Sequence, residues 1–184
     1  IWIAFAEESG IPELKRTTRD EPDYDKLMHW RLGILKEHGL GLKEIQETIS
    51  KIEPLEGAKA FLDKLRELTQ VIIISDTFTQ FAGPLMKKLG YPTIFCNSLE
   101  VAPDGEITGF KMRCENSKLT TVKALQSIGY DTIASGDSHN DLAMIQASKA
   151  GFLFRSTEQI KKDYPELPAF ESYGDLLHAI QQAL

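Results

Sequence analysis

Val71-Ile72-Ile73-Ile74 is an unbroken run of four β-branched residues, preceded by Ala58, Phe61, Leu62, Leu65 and Leu68 at helical spacing. A strand that is apolar on both faces must be covered on both faces, as the strands of parallel sheets are. The same texture recurs downstream. Residues 132–135, 151–154 and a short piece near Ala169-Phe170 read as further strands, and residues 117–128, 140–147 and 173–183 read as helices. Strand alternating with helix predicts an α/β fold on a parallel sheet, wound by right-handed crossovers. Residues 81–89 read as another helix, residues 93–96 as a short strand, and Leu99-Glu100-Val101 with residues 106–112 as a β-hairpin around Pro103-Asp104-Gly105.

The first third of the chain differs. Trp2, Phe5 and Ala6 share one helical stripe, Leu27, Trp30, Arg31 and Ile34 a second, and Leu42, Ile45, Ile49 and Ile52 a third. Asp20, Pro22-Asp23, Gly39 and Gly41 punctuate these stripes, and no strand pattern interrupts them. The expected division is a helical subdomain over residues 1–53 and an α/β core over residues 54–184. The net charge of −6 argues against a nucleic-acid or anionic-membrane surface as the main partner. Cys96 and Cys114 form no CxxC pair and no disulfide framework, and there is no membrane-spanning run or signal pattern, so the expected setting is the cytoplasm.

Four polar features sit at strand ends or helix starts. Gly136-Asp137 with Asn140-Asp141 follows an apolar strand, and hard oxygen donors there suit Mg²⁺ together with a substrate phosphate. Capping of the next helix by Asp137 and Asn140 is the competing explanation. Ser75-Asp76-Thr77 follows Ile74, where a hydroxyl and backbone amides at a helix start would hold an anion, or would simply cap. Lys118 opens a helix, where a cation opposes the macrodipole unless an anion lies beside it. Arg31 either snorkels to solvent or clamps a carboxylate bidentately. The four histidines lack metal-ligand spacing.

Ser75 after its strand, Lys118 within Glu115-Asn116-Ser117-Lys118, and Gly136-Asp137-Ser138-His139-Asn140-Asp141 occur in that order. The ordered set resembles the second, third and fourth motifs of the haloacid-dehalogenase-like phosphatases, and within them the phosphoserine phosphatases. Ile1-Trp2-Ile3-Ala4-Phe5-Ala6-Glu7, Thr17-Thr18-Arg19-Asp20 and Ser75-Asp76-Thr77 are similar to the bifunctional phosphoserine phosphatase/homoserine phosphotransferase group. The resemblance spans essentially the whole chain. It implies a Rossmann-like parallel-sheet core, a small helical cap and an Mg²⁺-dependent phosphatase acting on phosphoserine, with water or homoserine as acceptor. By the same resemblance Asp137 would ligate Mg²⁺, and Asp141 would support the metal and its waters. Asn140, Ser75 and the amide of Asp76 would meet the phosphoryl group, and Lys118 would neutralise nucleophile and phosphate. Arg31, with Tyr24 nearby, would read the amino-acid part of the substrate. A homodimer stays open, because Trp2 and Trp30 fit an association surface or a buried cap equally.

One element of the family pattern lies outside the chain. Family members begin with a strand ending in Asp-x-Asp, or Asp-x-Glu in the phosphotransferase group. Its first acid forms the aspartyl-phosphate and its second acts as general acid/base. That strand would lie upstream of Ile1, and the chain opens in a helical rhythm without methionine. In the family fold it is the central strand, between those expected at 71–75 and 132–135. A sheet lacking it leaves rows of backbone groups unpaired, at about 1–3 kcal/mol each. The expectation is a parent protein that carries the strand, these residues alone being inactive. A chain that truly begins at Ile1 would instead be a non-catalytic binding module.

Overall fold

In the computed structural model, residues 2–17, 20, 21 and 23–184 are described; Ile1, Thr18 and Arg19, which carry part of the family resemblance, and Pro22 lie outside them. In chain order the elements are α1 (Trp2–Ser9), a 3₁₀ turn (Pro12–Lys15), α2 (Tyr24–Glu37), α3 (Leu42–Lys51), α4 (Ala58–Leu68), β1 (Ile72–Phe78) and α5 (Thr79–Lys88). Next come β2 (Thr93–Val101), β3 (Ile107–Lys111), α6 (Ser117–Ser127), β4 (Ile133–Gly136), α7 (His139–Ala147) and β5 (Ala150–Phe154). The chain ends with α8 (Glu158–Asp163), β6 (Ala169–Phe170) and α9 (Tyr173–Ala183). Two units divide it: Ile1–Pro54 with Asp76–Arg113, and Leu55–Ser75 with Cys114–Leu184.

The second unit is the α/β sandwich that the apolar runs demand. β4, β5 and β6 form a parallel three-stranded sheet in that order. Successive side chains of a strand point to opposite faces, and the cores follow suit. Ile133 and Phe152 join one cluster with Leu65 of α4 and Leu176 and Ile180 of α9. Ala134 and Leu153 join the other, with Val122 of α6 and Leu142 and Ile145 of α7. The approach to β1 and its opening residues are treated the same way, Val71 just before the strand packing in the first cluster and Ile74 within it in the second.

The first unit packs the helical stripes against a small sheet of order β1-β2-β3. Its core holds Phe5 of α1, Met28 and Leu35 of α2, Ile45 and Ile49 of α3, Phe78 of β1, Phe81 of α5 and Leu99 of β2. β2 and β3 are antiparallel, with Gly105 at φ 92° in the connection and an irregularity between Glu100 and Val101. The hairpin is the expected one, but residues 93–96 and 99–101 belong to one strand. Asn97 joins them: it is 1% exposed, so its amide needs partners. It donates from Nδ2 to the Asp76 carbonyl (3.2 Å) and accepts the Arg113 N–H at Oδ1 (3.0 Å).

Trp2 and Trp30 are half-buried, Trp2 edge-on to Phe81 at 5.6 Å and Trp30 beneath the Arg16 guanidinium. Among the described residues no helix is long and apolar enough to cross a membrane.

Candidate active site

In the second unit, the chain leaves β4 at Gly136 and enters α7 at His139 with Ser138 as N-cap. Asp141 organises this turn. It is 6% exposed, and its Oδ2 accepts the N–H groups of Asp137 (3.1 Å) and Ser138 (3.0 Å) and the Ser138 hydroxyl (2.9 Å). Its Oδ1 accepts Lys118 Nζ at 2.7 Å. Burial pushes the Asp141 carboxyl up, but the Lys118 hydrogen bond and charge, with the Ser138 donors, outweigh it and hold the group below the usual carboxylate range. Glycine is required at 136 by this close approach: a Cβ there would collide with Asp141 Cβ and Cγ and lie 2.6 Å from Oδ2.

The cation at the start of α6 thus has its anion. Asn116 turns the chain through the left-handed region (φ 46°) into α6, and the Lys118 side chain, 14% exposed, closes onto Asp141. Capping of α7 falls to Ser138 and Asp141 rather than to Asp137 and Asn140. The exposed Asp137 carboxylate takes neither a hydrogen bond nor an ion pair among the described residues, although its backbone is held at both ends. The second hold is the Ser156 hydroxyl, which donates to the Asp137 carbonyl at 2.7 Å.

This donor set fits Mg²⁺ better than a structural metal. Among the described residues no group of three or more His, Cys, Asp and Glu could hold an ion. Mg²⁺ keeps several waters and needs only one or two protein carboxylates plus a phosphate. Asp137 can supply one; Asp141, with both oxygens engaged, acts on the turn and on Lys118.

In the first unit, Tyr24, Arg31 and Asp76 gather. The Tyr24 hydroxyl donates to the Asp76 carbonyl at 3.0 Å. Burial, then the Asp76 charge, push this phenol up to about 12, with Arg31 opposing, so it remains a donor. Arg31 does not snorkel; it is 5% exposed. Its guanidinium lies 4.6 Å from the Trp2 ring centroid, Nη2 donates to the Arg16 carbonyl (2.6 Å), and Nε has no partner. Burial pulls it down to about 10, so it is charged at neutral pH, and among the described residues no carboxylate pairs with it.

Ser75 and Asp76 lie differently from the expectation. β1 continues to Phe78 and α5 begins at Thr79, so these residues sit inside a strand, not at a helix start. Phe78, 1% exposed in the first unit's core, and the two donors on the Asp76 carbonyl hold the strand extended.

A model of the haloacid dehalogenase-like hydrolases matches residues 5–146. The chain belongs to this family. It is 50% identical over 176 residues to the phosphoserine phosphatase ThrH of Pseudomonas aeruginosa, covering 96% of this chain and 86% of that one. It is 47% identical to a phosphoserine phosphatase of Pseudomonas syringae pv. tomato, covering 96% of this chain and 74% of the relative. The crystal structure of an apo phosphoserine phosphatase superposes with a TM-score of 0.72 at 25% identity, over 92% of this chain and 85% of that one. A phospho-aspartyl intermediate analogue of a phosphoserine phosphatase superposes with a TM-score of 0.69 at 25% identity, over 90% and 83%. Like other haloacid dehalogenase-like hydrolases, this one has a mixed α/β architecture with parallel strands.

Ser156 and Asn97 were not singled out by sequence. Ser156 follows β5 as Asp137 follows β4, and the carboxyl edge of a parallel sheet is where ligand-handling residues collect. Asn97 signals itself as a polar residue amid the apolar run of β2.

Proposed function

We propose that this hydrolase is an Mg²⁺-dependent phosphatase for phosphoserine that can also pass the phosphoryl group to homoserine. The observation that carries the reading is the Asp137 carboxylate, left free on a backbone that Asp141 ties to Lys118. Phosphoryl transfer asks a protein mainly for positioning and for stabilisation of charge on the phosphoryl oxygens. Asp137 would hold Mg²⁺, which neutralises those oxygens when bound. Lys118, aimed by its hydrogen bond to Asp141, would add a second positive charge. Ser75, the Asp76 amide and Asn140 are the proposed phosphoryl contacts. In this reading the phosphoryl group passes through an aspartyl-phosphate. The phospho-aspartyl analogue of a structural relative supports that step.

Arg31 narrows the substrate. A buried cation without a carboxylate partner is suited to the carboxylate of an amino-acid substrate, and Trp2 and the Arg16 carbonyl hold the guanidinium meanwhile. The competing reading is a phosphatase for another small phosphate ester, and one variant separates the two in the full gene product. Arg31→Ala is expected to raise KM for phosphoserine about 10- to 100-fold, the loss of a charged hydrogen-bonding partner, and to spare a generic aryl phosphate. Equal losses on both substrates would count against amino-acid specificity.

A further inference from the structure

The parallel pairing of β4 and β5 sets Gly136 opposite Leu153, so the segments that follow the two strands leave the sheet side by side. After β5 the chain does something uncommon. Arg155 is a non-glycine residue at φ 52°, a conformation unfavourable for most side chains. Several contacts hold it there. Its N–H donates to the Phe170 carbonyl (2.9 Å) and its Nε to the Glu171 carbonyl (3.0 Å). Its guanidinium lies 5.0 Å from the Phe154 ring centroid and 4.9 Å from that of Tyr173.

The reversal delivers Ser156 to the neighbouring turn. The residue is 7% exposed, and its Oγ donates to the Asp137 carbonyl at 2.7 Å. It is not needed to start α8, because Thr157 is the N-cap and accepts the Ile160 N–H. Asp137 is therefore clamped at both peptide atoms, its N–H on Asp141 and its carbonyl on Ser156, with only its carboxylate uncommitted. A ligand whose backbone is already fixed loses less freedom on binding a cation, and groups that orient a metal ligand typically govern affinity 10- to 100-fold.

We infer that Ser156 is a positioning residue that fixes the Asp137 turn and thereby sets the affinity of this chain for Mg²⁺. The inference rests on Asp137 as the metal-holding carboxylate and is independent of which phosphate ester is the substrate. Its test is calorimetric titration of Mg²⁺ into the substrate-free full gene product, with thermal unfolding in EDTA run in parallel. Ser156→Cys keeps the size and gives up the strong donor; Ser156→Thr keeps the hydroxyl. The Cys variant is expected to bind Mg²⁺ about tenfold more weakly, the Thr variant within about threefold of the natural protein, with the midpoints in EDTA little changed. An unchanged Mg²⁺ affinity in Ser156→Cys, with or without a lower midpoint, would make Ser156 merely structural and overturn the inference while leaving the phosphatase reading intact. Absence of Mg²⁺ binding by the natural protein would overturn the inference together with the metal assignment, and phosphoserine hydrolysis measured alongside would show whether the activity survives.

Discussion

Asp141 connects the groups of the candidate site in the second unit, because one carboxylate oxygen holds the turn before α7 and the other holds Lys118. Removing one partner of a buried ion pair leaves the other uncompensated. Asp141→Asn is expected to lower stability at neutral pH by about 3 kcal/mol, the lower end of the usual range because Lys118 keeps some access to water. The pH dependence follows from the depressed carboxyl. In the folded chain Asp141 releases its proton more readily than in the unfolded chain, so its contribution is complete above about pH 4. It is lost as the pH falls through the lowered value. The variant's stability should therefore depend less on pH below about 4, as urea titrations at stepped pH would show; parallel acid limbs would contradict the role given to this carboxylate. At this scale the sequence displayed the chemistry better than its state. Asp137, Lys118 and Asp141 stood out as charges at element ends, but the pairing of Lys118 with Asp141 spans 23 positions and only the fold creates it. The burial of Arg31 was hidden likewise, since the same helical stripe allows a snorkelling or a trapped arginine.

Among the elements, β5 carries the most structural weight in its sheet. It lies between β4 and β6, and its side chains alternate between two cores, Phe152 into one and Leu153 into the other. Leu153 is 0% exposed, so Leu153→Ala should cost about 2–5 kcal/mol in urea unfolding, from lost transfer energy plus the cavity left behind. A loss under 1 kcal/mol would mean that this strand is not buried on both faces. The strands and helices of the second unit were legible because apolar periodicity reports burial directly, and β4, β5, α7 and α9 fall within a residue or two of expectation. β1 and β2 were harder. The polar residues at 75–77 look like a helix start, and those at 97–98 interrupt an apolar run, yet both strands run on. Tyr24 and Arg113 satisfy the polar backbone and side-chain groups from distant parts of the sequence.

For the whole molecule, membership of the haloacid dehalogenase-like hydrolases and the high identity to phosphoserine phosphatases agree with the Asp137 carboxylate and the Arg31 guanidinium, neither of which forms an ion pair among the described residues. Family order was readable because three short motifs occur in sequence along the chain. The central claim is Mg²⁺-assisted phosphoryl transfer from phosphoserine around Asp137. The most direct measurement is phosphate release from phosphoserine by the full gene product, with Mg²⁺ and after its removal by EDTA, beside the Asp137→Asn variant. The account predicts release that requires Mg²⁺ and falls by at least about 100-fold in the variant. Release that persists in EDTA, or that Asp137→Asn leaves untouched, would contradict it.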